Sequence, residues 1–286
     1  MIYARDVKDL CAPGRSWGTF RHVVTDRNPG DKARNDGVTN GLTVVDNHTG
    51  SVFFFWNECS HVCQYTRAFF IRSDTQGTTW SAPTNLTDLI LPSPQHPTGV
   101  DFVSVPFFLL VCQCSCVLNQ ECGVWEHRQF GEGDGLQLPS GRLVVCGWTG
   151  WYKTDFDSAV ACLLSDTHGA SWRVGAVLPH PHGPKGSFMR QSEVGIALLK
   201  NNSILLNARS VNHPRHILMR SDDGGETLTG EHYTEDLQDV GCSGSMVSLA
   251  DGTLVFSAPD PATKSQCDSG RCNLQARNAA FSATSG

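Results

Sequence analysis

One octapeptide frame returns along the chain. Ser73-Asp-Thr-Gln-Gly-Thr-Thr-Trp80 and Ser165-Asp-Thr-His-Gly-Ala-Ser-Trp172 share Ser-Asp-x-x-Gly-x-x-Trp. Ser221-Asp-Asp-Gly-Gly-Glu-Thr-Leu228 keeps the frame with Leu in the last place. Gly14-Arg-Ser-Trp17 and Ser282-Ala-Thr-Ser-Gly286 retain parts of it. The reference glycines, at 14, 77, 169, 225 and 286, are spaced by 63, 92, 56 and 61 residues. Three of these gaps match one four-stranded supersecondary unit, the size of a propeller blade. The 92-residue gap carries roughly 30 residues more than that period.

The frame reads as a tight turn after an apolar strand such as Phe69-Phe-Ile-Arg or Cys162-Leu-Leu. Ser and Asp hydrogen-bond the turn backbone, Gly takes a conformation other residues avoid, and Trp packs back beneath. Ser73, Asp74, Gly77 and Trp80, Ser165, Asp166, Gly169 and Trp172, and Ser221, Asp222, Asp223 and Gly225 are therefore read as structural staples. Asp74, Asp166 and Asp222 are acidic and repeated, but one turn chemistry used once per blade requires no metal or catalysis.

Between the turns lie short β-rich runs. Gly41–Asp46 and Ser51–Trp56 flank a polar turn. Val194–Leu199 and Ser203–Asn207 flank another, as do Met246–Leu249 and Thr253–Phe256. Tyr65–Arg72, Gly141–Cys146, Ala159–Leu164 and His216–Arg220 complete the set. No long helical period competes with them, so the class is all-β and the repeats favour a propeller over a sandwich or barrel. With 40% hydrophobic residues the 286-residue chain can build a core. A net charge of −6 argues against a nucleic-acid backbone as partner. No apolar run reaches the roughly 20 residues of a membrane-spanning helix.

The sequons at Asn47, Asn85 and Asn201 are glycosylation candidates, and the chain holds 12 cysteines. Both features point to the secretory pathway, although Met1–Arg5 lacks the form of a signal peptide. Residues 95–125 read differently from the rest. Cys112, Cys114, Cys116 and Cys122 crowd there at a spacing that suits no common zinc site. A long insert inside a compact repeat reads as a poorly ordered loop or as translated non-coding sequence. Cys59 and Cys63 are spaced for a small disulfide that spacing alone does not prove.

The repeated turns resemble the Asp boxes of the sialidase (neuraminidase) family, Ser-x-Asp-x-Gly-x-x-Trp. That box places Asp third; Asp223 fits, whereas Thr75 and Thr167 stand there in the other copies. Gly141–Gly147, Cys162–Trp172 and Leu206–Ser210 resemble, within that family, the lysosomal sialidases of animals (sialidase-1). Gly131-Glu-Gly-Asp-Gly-Leu-Gln137 resembles their Gly-Pro-Gly-x-Gly-Ile-Gln stretch. The resemblance covers nearly the whole chain outside the insert. It implies a six-bladed propeller, of which residues 1–286 supply one partial domain of four to five blades with exposed edges.

It implies exo-α-sialidase chemistry on glycoproteins, glycolipids and oligosaccharides, retaining, with no cofactor. In that chemistry a tyrosine is the nucleophile. A neutral phenol, deprotonated by a glutamate, avoids the repulsion an anionic nucleophile would meet at a carbon already bearing a carboxylate. Three arginines hold that carboxylate and an aspartate acts as acid and base. By resemblance Glu193, in Gln191-Ser-Glu-Val-Gly195, matches the activating glutamate. Arg209, in Asn-Ala-Arg-Ser, and Arg277, in Asn273-Leu-Gln-Ala-Arg277, match two of the three arginines. The tyrosines at 3, 65, 152 and 233 do not stand in the nucleophile's context. No residue matches the acid/base aspartate or the first arginine, so the chain by itself is expected to turn over little or nothing. The alternative is a sialidase-like propeller that binds sialoglycans or a protein without hydrolysing them. The resemblance further implies lysosomal residence, sialylated glycans as ligands and association with a cathepsin A-type protective protein.

Overall fold

In the computed structural model, the described residues are 2–4, 21–25, 38–58, 67–90, 129–150, 158–180, 191–210, 213–259 and 274–280. The partial turn copies at 14–17 and 282–286, the insert at 95–125 with its four cysteines, and the Cys59–Cys63 pair lie outside them.

The described strands form successive antiparallel sheets, each built from consecutive strands. Strands β1 (Ile2–Ala4) and β2 (Arg21–Val24) pair. The first four-stranded sheet joins β3 (Val38–Asp46), β4 (Ser51–Glu58), β5 (Arg67–Ser73) and β6 (Thr84–Asn85), followed by the short helix α1 (Thr87–Ile90). The second joins β7 (Gln129–Gln137), β8 (Leu143–Gly150), β9 (Ser158–Ser165) and β10 (Arg173–His180). The third joins β11 (Gln191–Leu198), β12 (Ile204–Ser210), β13 (Arg215–Ser221) and β14 (Thr229–Gln238). Last come β15 (Ser245–Ser248), β16 (Thr253–Pro259) and β17 (Leu274–Ala280). The first strands β3, β7, β11 and β15 pack on one another in sequence. This is the inner rim of a propeller, with three complete blades and a three-stranded one among the described residues.

The core lies between blades. On β8, Leu143 and Val145 join Phe53, Phe55 and Phe70 of the first sheet, while Val144 and Cys146 join Ile204, Leu206 and Ile217 of the third. On β12, Leu205 faces Met246 and Phe256 instead. Middle strands are thus covered on both faces, so they read as continuous apolar runs rather than as an alternation. Cys146 and Cys162 lie opposite each other on β8 and β9 and form a disulfide.

The octapeptides close the third hairpin of each complete blade. Ser73, Ser165 and Ser221 each accept through Oγ the backbone N–H four residues on, at 2.7, 2.9 and 2.8 Å. The glycines at those positions have φ of +79°, +78° and +92°, and the residues before them, Gln76, His168 and Gly224, are also left-handed. Two consecutive left-handed residues explain the invariant glycine of the frame. Thr75 and Thr167 do the work of Asp223. Their hydroxyls accept from Thr79 N and Ser171 N at 2.8 and 2.9 Å, as Asp223 accepts from Thr227 N at 3.0 Å.

The second-position aspartates depart from expectation. Asp74 accepts from Ser51 and Arg72, Asp222 from Ser203 and Arg220, and Asp166 from Arg142 and Arg173. They tie the turn to the blade's first hairpin and to neighbouring arginines rather than capping their own turn. Trp172 also reaches further than its turn, packing edge-on to Phe53, Phe55 and Phe70 of the preceding blade. Trp80 stays local, 3.6 Å from where a Cβ on Gly77 would lie.

Candidate active site

The inner strands of the three complete blades share an irregularity near their starts. Two residues of the inner strand oppose one on the next strand: 40–41 face Trp56, 132–133 face Gly147, and 192–193 face Arg209. Such bulges bend a strand and re-aim its side chains. In the first two blades the second bulged residue is glycine, Gly41 or Gly133. There a Cβ would lie 2.8 Å from the Phe54 ring and 2.0 Å from the Cys146 carbonyl oxygen, respectively. In the third blade the same position carries Glu193, and Arg209 stands where the other blades have Trp56 and Gly147.

Arg209 donates from Nη1 to Glu193 Oε1 at 2.8 Å. The side chains are 24% and 17% exposed, sheltered yet reachable. Glu193 Oε2 and Arg209 Nε are buried without a hydrogen-bond partner among the described residues. So are both side-chain polar atoms of Asn207, Nδ1 of His213 and of His216, and Oε1 of Gln191. Seven such atoms gather at one end of the third blade, and the indole Nε1 atoms of Trp56, Trp80, Trp148 and Trp172 in the other blades likewise have no partner among the described residues.

The surrounding groups complete a polar chamber. Asp239 Oδ2 accepts Ser210 N at 2.6 Å and lies 3.9 Å from His216 Nδ1. Burial lowers the pKa of His216 against the opposing pull of Asp239, the Ala208 carbonyl and Glu193, which holds the ring toward its neutral form. His213 and Tyr233 stack with ring centroids 3.7 Å apart. Burial raises the Tyr233 phenol, opposed by a hydrogen bond with Ser210. Gln191 donates to Glu231, whose carboxyl burial also raises. On β7, burial raises Asp134 against a hydrogen bond from Ile196 N.

Of the residues expected from sequence, Glu193 and Arg209 are brought together. Arg277, on β17, is exposed and donates to the Asp236 carbonyl at 3.3 Å; neither Glu193 nor Arg209 is among its described partners. Asn47, Asn85 and Asn201 are all exposed. Sequence reasoning missed Asn207, His216, Tyr233, Asp239 and Asp134. Asn207 and His216 interrupt apolar runs on β12 and β13, a readable signal once both faces of those strands are known to be buried.

Sheets stacked about shared inner strands, with a glutamate–arginine bulge on one rim, define a β-propeller. No family model matches the chain. It is 29% identical to human Sialidase-4 over 152 residues, 48% of this chain and 28% of that protein. It is equally 29% identical to mouse Sialidase-4 over 136 residues, 44% of this chain and 26% of that one. The match thus spans about a quarter of these relatives' length. Its fold is that of the Hadza microbial sialidase Hz136, at a TM-score of 0.66 over 94% of this chain and 48% of that one, with 19% identity. The chain is thus similar to sialidases in sequence over about half of its length, and it shares the propeller fold of a solved sialidase.

Proposed function

We propose that this chain carries the sialoside-binding centre of an exo-α-sialidase, with Glu193 and Arg209 at its heart. The observation that carries this reading is the third-blade bulge. There the repeat abandons glycine for a glutamate held 2.8 Å from an arginine, amid buried polar atoms without partners. Arg209 supplies a planar guanidinium fork for the sugar carboxylate, and Arg277 is a second clamp by family resemblance. By family resemblance Glu193 accepts a proton from a phenol nucleophile, in the retaining mechanism of the family.

Tyr233, the one tyrosine whose side chain is described, stacks on His213 and has no described contact with Glu193. We therefore propose that this chain binds terminal sialic acid and that turnover depends on a tyrosine and an aspartate that are not found beside Glu193 among the described residues. The same observation favours the second reading, a sialoglycan-binding propeller without hydrolysis. Residence in the oxidising secretory pathway, and from there the lysosome, is supported by the Cys146–Cys162 disulfide and by three exposed sequon asparagines.

A fluorogenic sialoside incubated with the full chain should release little or no fluorophore, while unlabelled sialyllactose binds saturably. Robust turnover abolished by Glu193→Ala would show that the chain holds a complete catalytic set. Absence of any sialoside binding would overturn the reading altogether.

A further inference from the structure

A second cluster of polar side chains lies away from the Glu193 bulge. Asp46 closes the inner strand β3, whereas Glu193 stands near the start of the inner strand β11, so the two lie toward opposite ends of the propeller rim. Asp46 belongs to the first blade, and so does His48 in the turn that follows. His168 comes from the octapeptide turn of the second blade. One ligating atom from each of the three lies within 4.8 Å of the others. Asp46 has no exposed surface, while His48 and His168 are 59% and 49% exposed.

The geometry points to a binding site for a divalent ion of the zinc class at Asp46, His48 and His168, bridging the first and second blades. Two imidazoles and a carboxylate are the donor set that Zn²⁺, Co²⁺ or Ni²⁺ prefer over Ca²⁺ or Mg²⁺, which take oxygen ligands. His168 Nδ1 is 2.8 Å from Asp46 Oδ2, and His48 Nδ1 is 3.8 Å from Asp46 Oδ1. Ligands held about 2.0–2.1 Å from a tetrahedral ion lie about 3.4 Å from one another, so small shifts of exposed rings close the set. Solvent completes the fourth position from the open side.

Three features suit this role better than a plain hydrogen-bond knot. First, Asp46 does not need the imidazoles. His48 N donates to it at 2.9 Å, Thr49 Oγ1 at 2.9 Å and Gln137 Nε2 at 2.7 Å. Secondly, Gln137 Nε2 lies 3.1 Å from His48 Nδ1 and holds that nitrogen in the cluster as an acceptor; the ion takes this lone pair in place of the amide, whose other N–H stays on Asp46. Such orientation of ligands by a surrounding hydrogen-bonded shell is the usual support of a metal site. Thirdly, His168 takes a left-handed φ of +53° at a place held by Gln76 and Gly224 in the other two turns. A histidine at positive φ carries a conformational cost, and here it sets the imidazole against the neighbouring blade. In the bound state the ion replaces the His168–Asp46 hydrogen bond, and His168 shifts its proton to Nε2.

The probe is Co²⁺ added to the full chain in chelator-treated buffer, read by its visible d–d absorption and by the midpoint of thermal unfolding. The expected result is one saturable site per chain and a raised midpoint. Affinity should fall at least about tenfold in His48→Ala and in His168→Asn, and remain unchanged in His232→Ala, which alters an exposed histidine elsewhere. Asn tolerates positive φ, so His168→Asn keeps the turn. Three results would overturn the proposal: no saturable binding, binding undiminished in both variants, or a thiolate-to-cobalt charge-transfer band that survives them and assigns the ion to cysteine. None of these readouts involves a sialoside, so the site stands or falls independently of the proposed function.

Discussion

The two ends of the blades treat their polar groups in opposite ways. At the turn end, carboxylates are satisfied. Asp223 accepts from Ser221, from the N–H groups of Glu226 and Thr227 and from the Thr227 hydroxyl. Arg142 joins Asp166 to Glu226, and Arg173 binds Glu226 as well, stitching the second blade to the third. Hydrogen bonds lower the carboxyls of Asp74, Asp166, Asp222 and Glu226. Along the inner strands and at the Glu193 end, burial raises Asp134 and Glu231, and polar atoms of Asn207, Arg209 and His216 lack partners among the described residues. The carboxylates of the turn end are satisfied within the chain, although the indole Nε1 atoms of Trp80 and Trp172 there lack a partner among the described residues; at the Glu193 end the unpartnered atoms belong to the ionisable and amide side chains themselves. Proteins keep such costly, unsatisfied arrangements where function requires them.

If the turn end is structural, disturbing it should cost the most. Gly169 combines a φ of +78° with a would-be Cβ 2.0 Å from the Phe53 ring of the neighbouring blade. Gly169→Ala is expected to destabilise by about 3 kcal/mol, read from the denaturant midpoint, because left-handed strain and overpacking add. A loss under ~1 kcal/mol would show that the blade interface yields more easily than its packing implies.

A smaller effect separates the two ways of building the turn. Asp223 has its pKa lowered from 3.8 to about 2: burial opposes the change, and the bonds from Thr227, Ser221 and Glu226 N outweigh it. A folded value below the unfolded one means that its contribution is complete above the unfolded value and is lost as pH falls through the folded one. Asp223→Ala should therefore cost about 1–2 kcal/mol at pH 7, discounted for the exposure of the group, and progressively less below pH ~4. Thr167→Val, which removes the equivalent acceptor in the second blade, should cost a similar amount with no such pH dependence. Parallel pH profiles for the two variants would contradict the assignment of this dependence to the Asp223 carboxylate.

Asp134 supplies the opposite sign. Its folded pKa is raised by burial, so its contribution is favourable below the unfolded value and is lost as pH rises through the folded one. Asp134→Asn keeps an oxygen to accept Ile196 N and should stabilise the chain by about 1 kcal/mol at pH 7, with the gain vanishing near pH 4. A destabilised variant at neutral pH would place this carboxylate in an interaction outside the described residues.

The repeat, the strand class and the propeller were legible because a turn chemistry used three times leaves a readable period. Strands covered on both faces appeared as apolar runs such as Leu143–Cys146. Other strands escaped notice. β7 was masked by Gly131-Glu-Gly-Asp-Gly135, and β10, β14 and β17 lie toward blade edges with mixed exposure and no alternation. The bulges were invisible because register is a relation between two strands, not a property of either. Glu193 and Arg209 were found by resemblance, yet the reason they meet lies in two residues opposing one. The His168–Asp46 contact spans 122 positions between blades and left no local pattern.

The central claim is that the third-blade bulge, not the turn end, is where a sialoside binds. Isothermal titration of the full chain with sialyllactose tests it most directly. Arg209→Lys keeps the charge but loses the planar fork, and should weaken binding at least about tenfold while unfolding within ~1 kcal/mol of the parent. Thr167→Val should bind like the parent despite its lower stability. Unchanged affinity in Arg209→Lys, or affinity lost in Thr167→Val while the variant remains folded, would contradict the account.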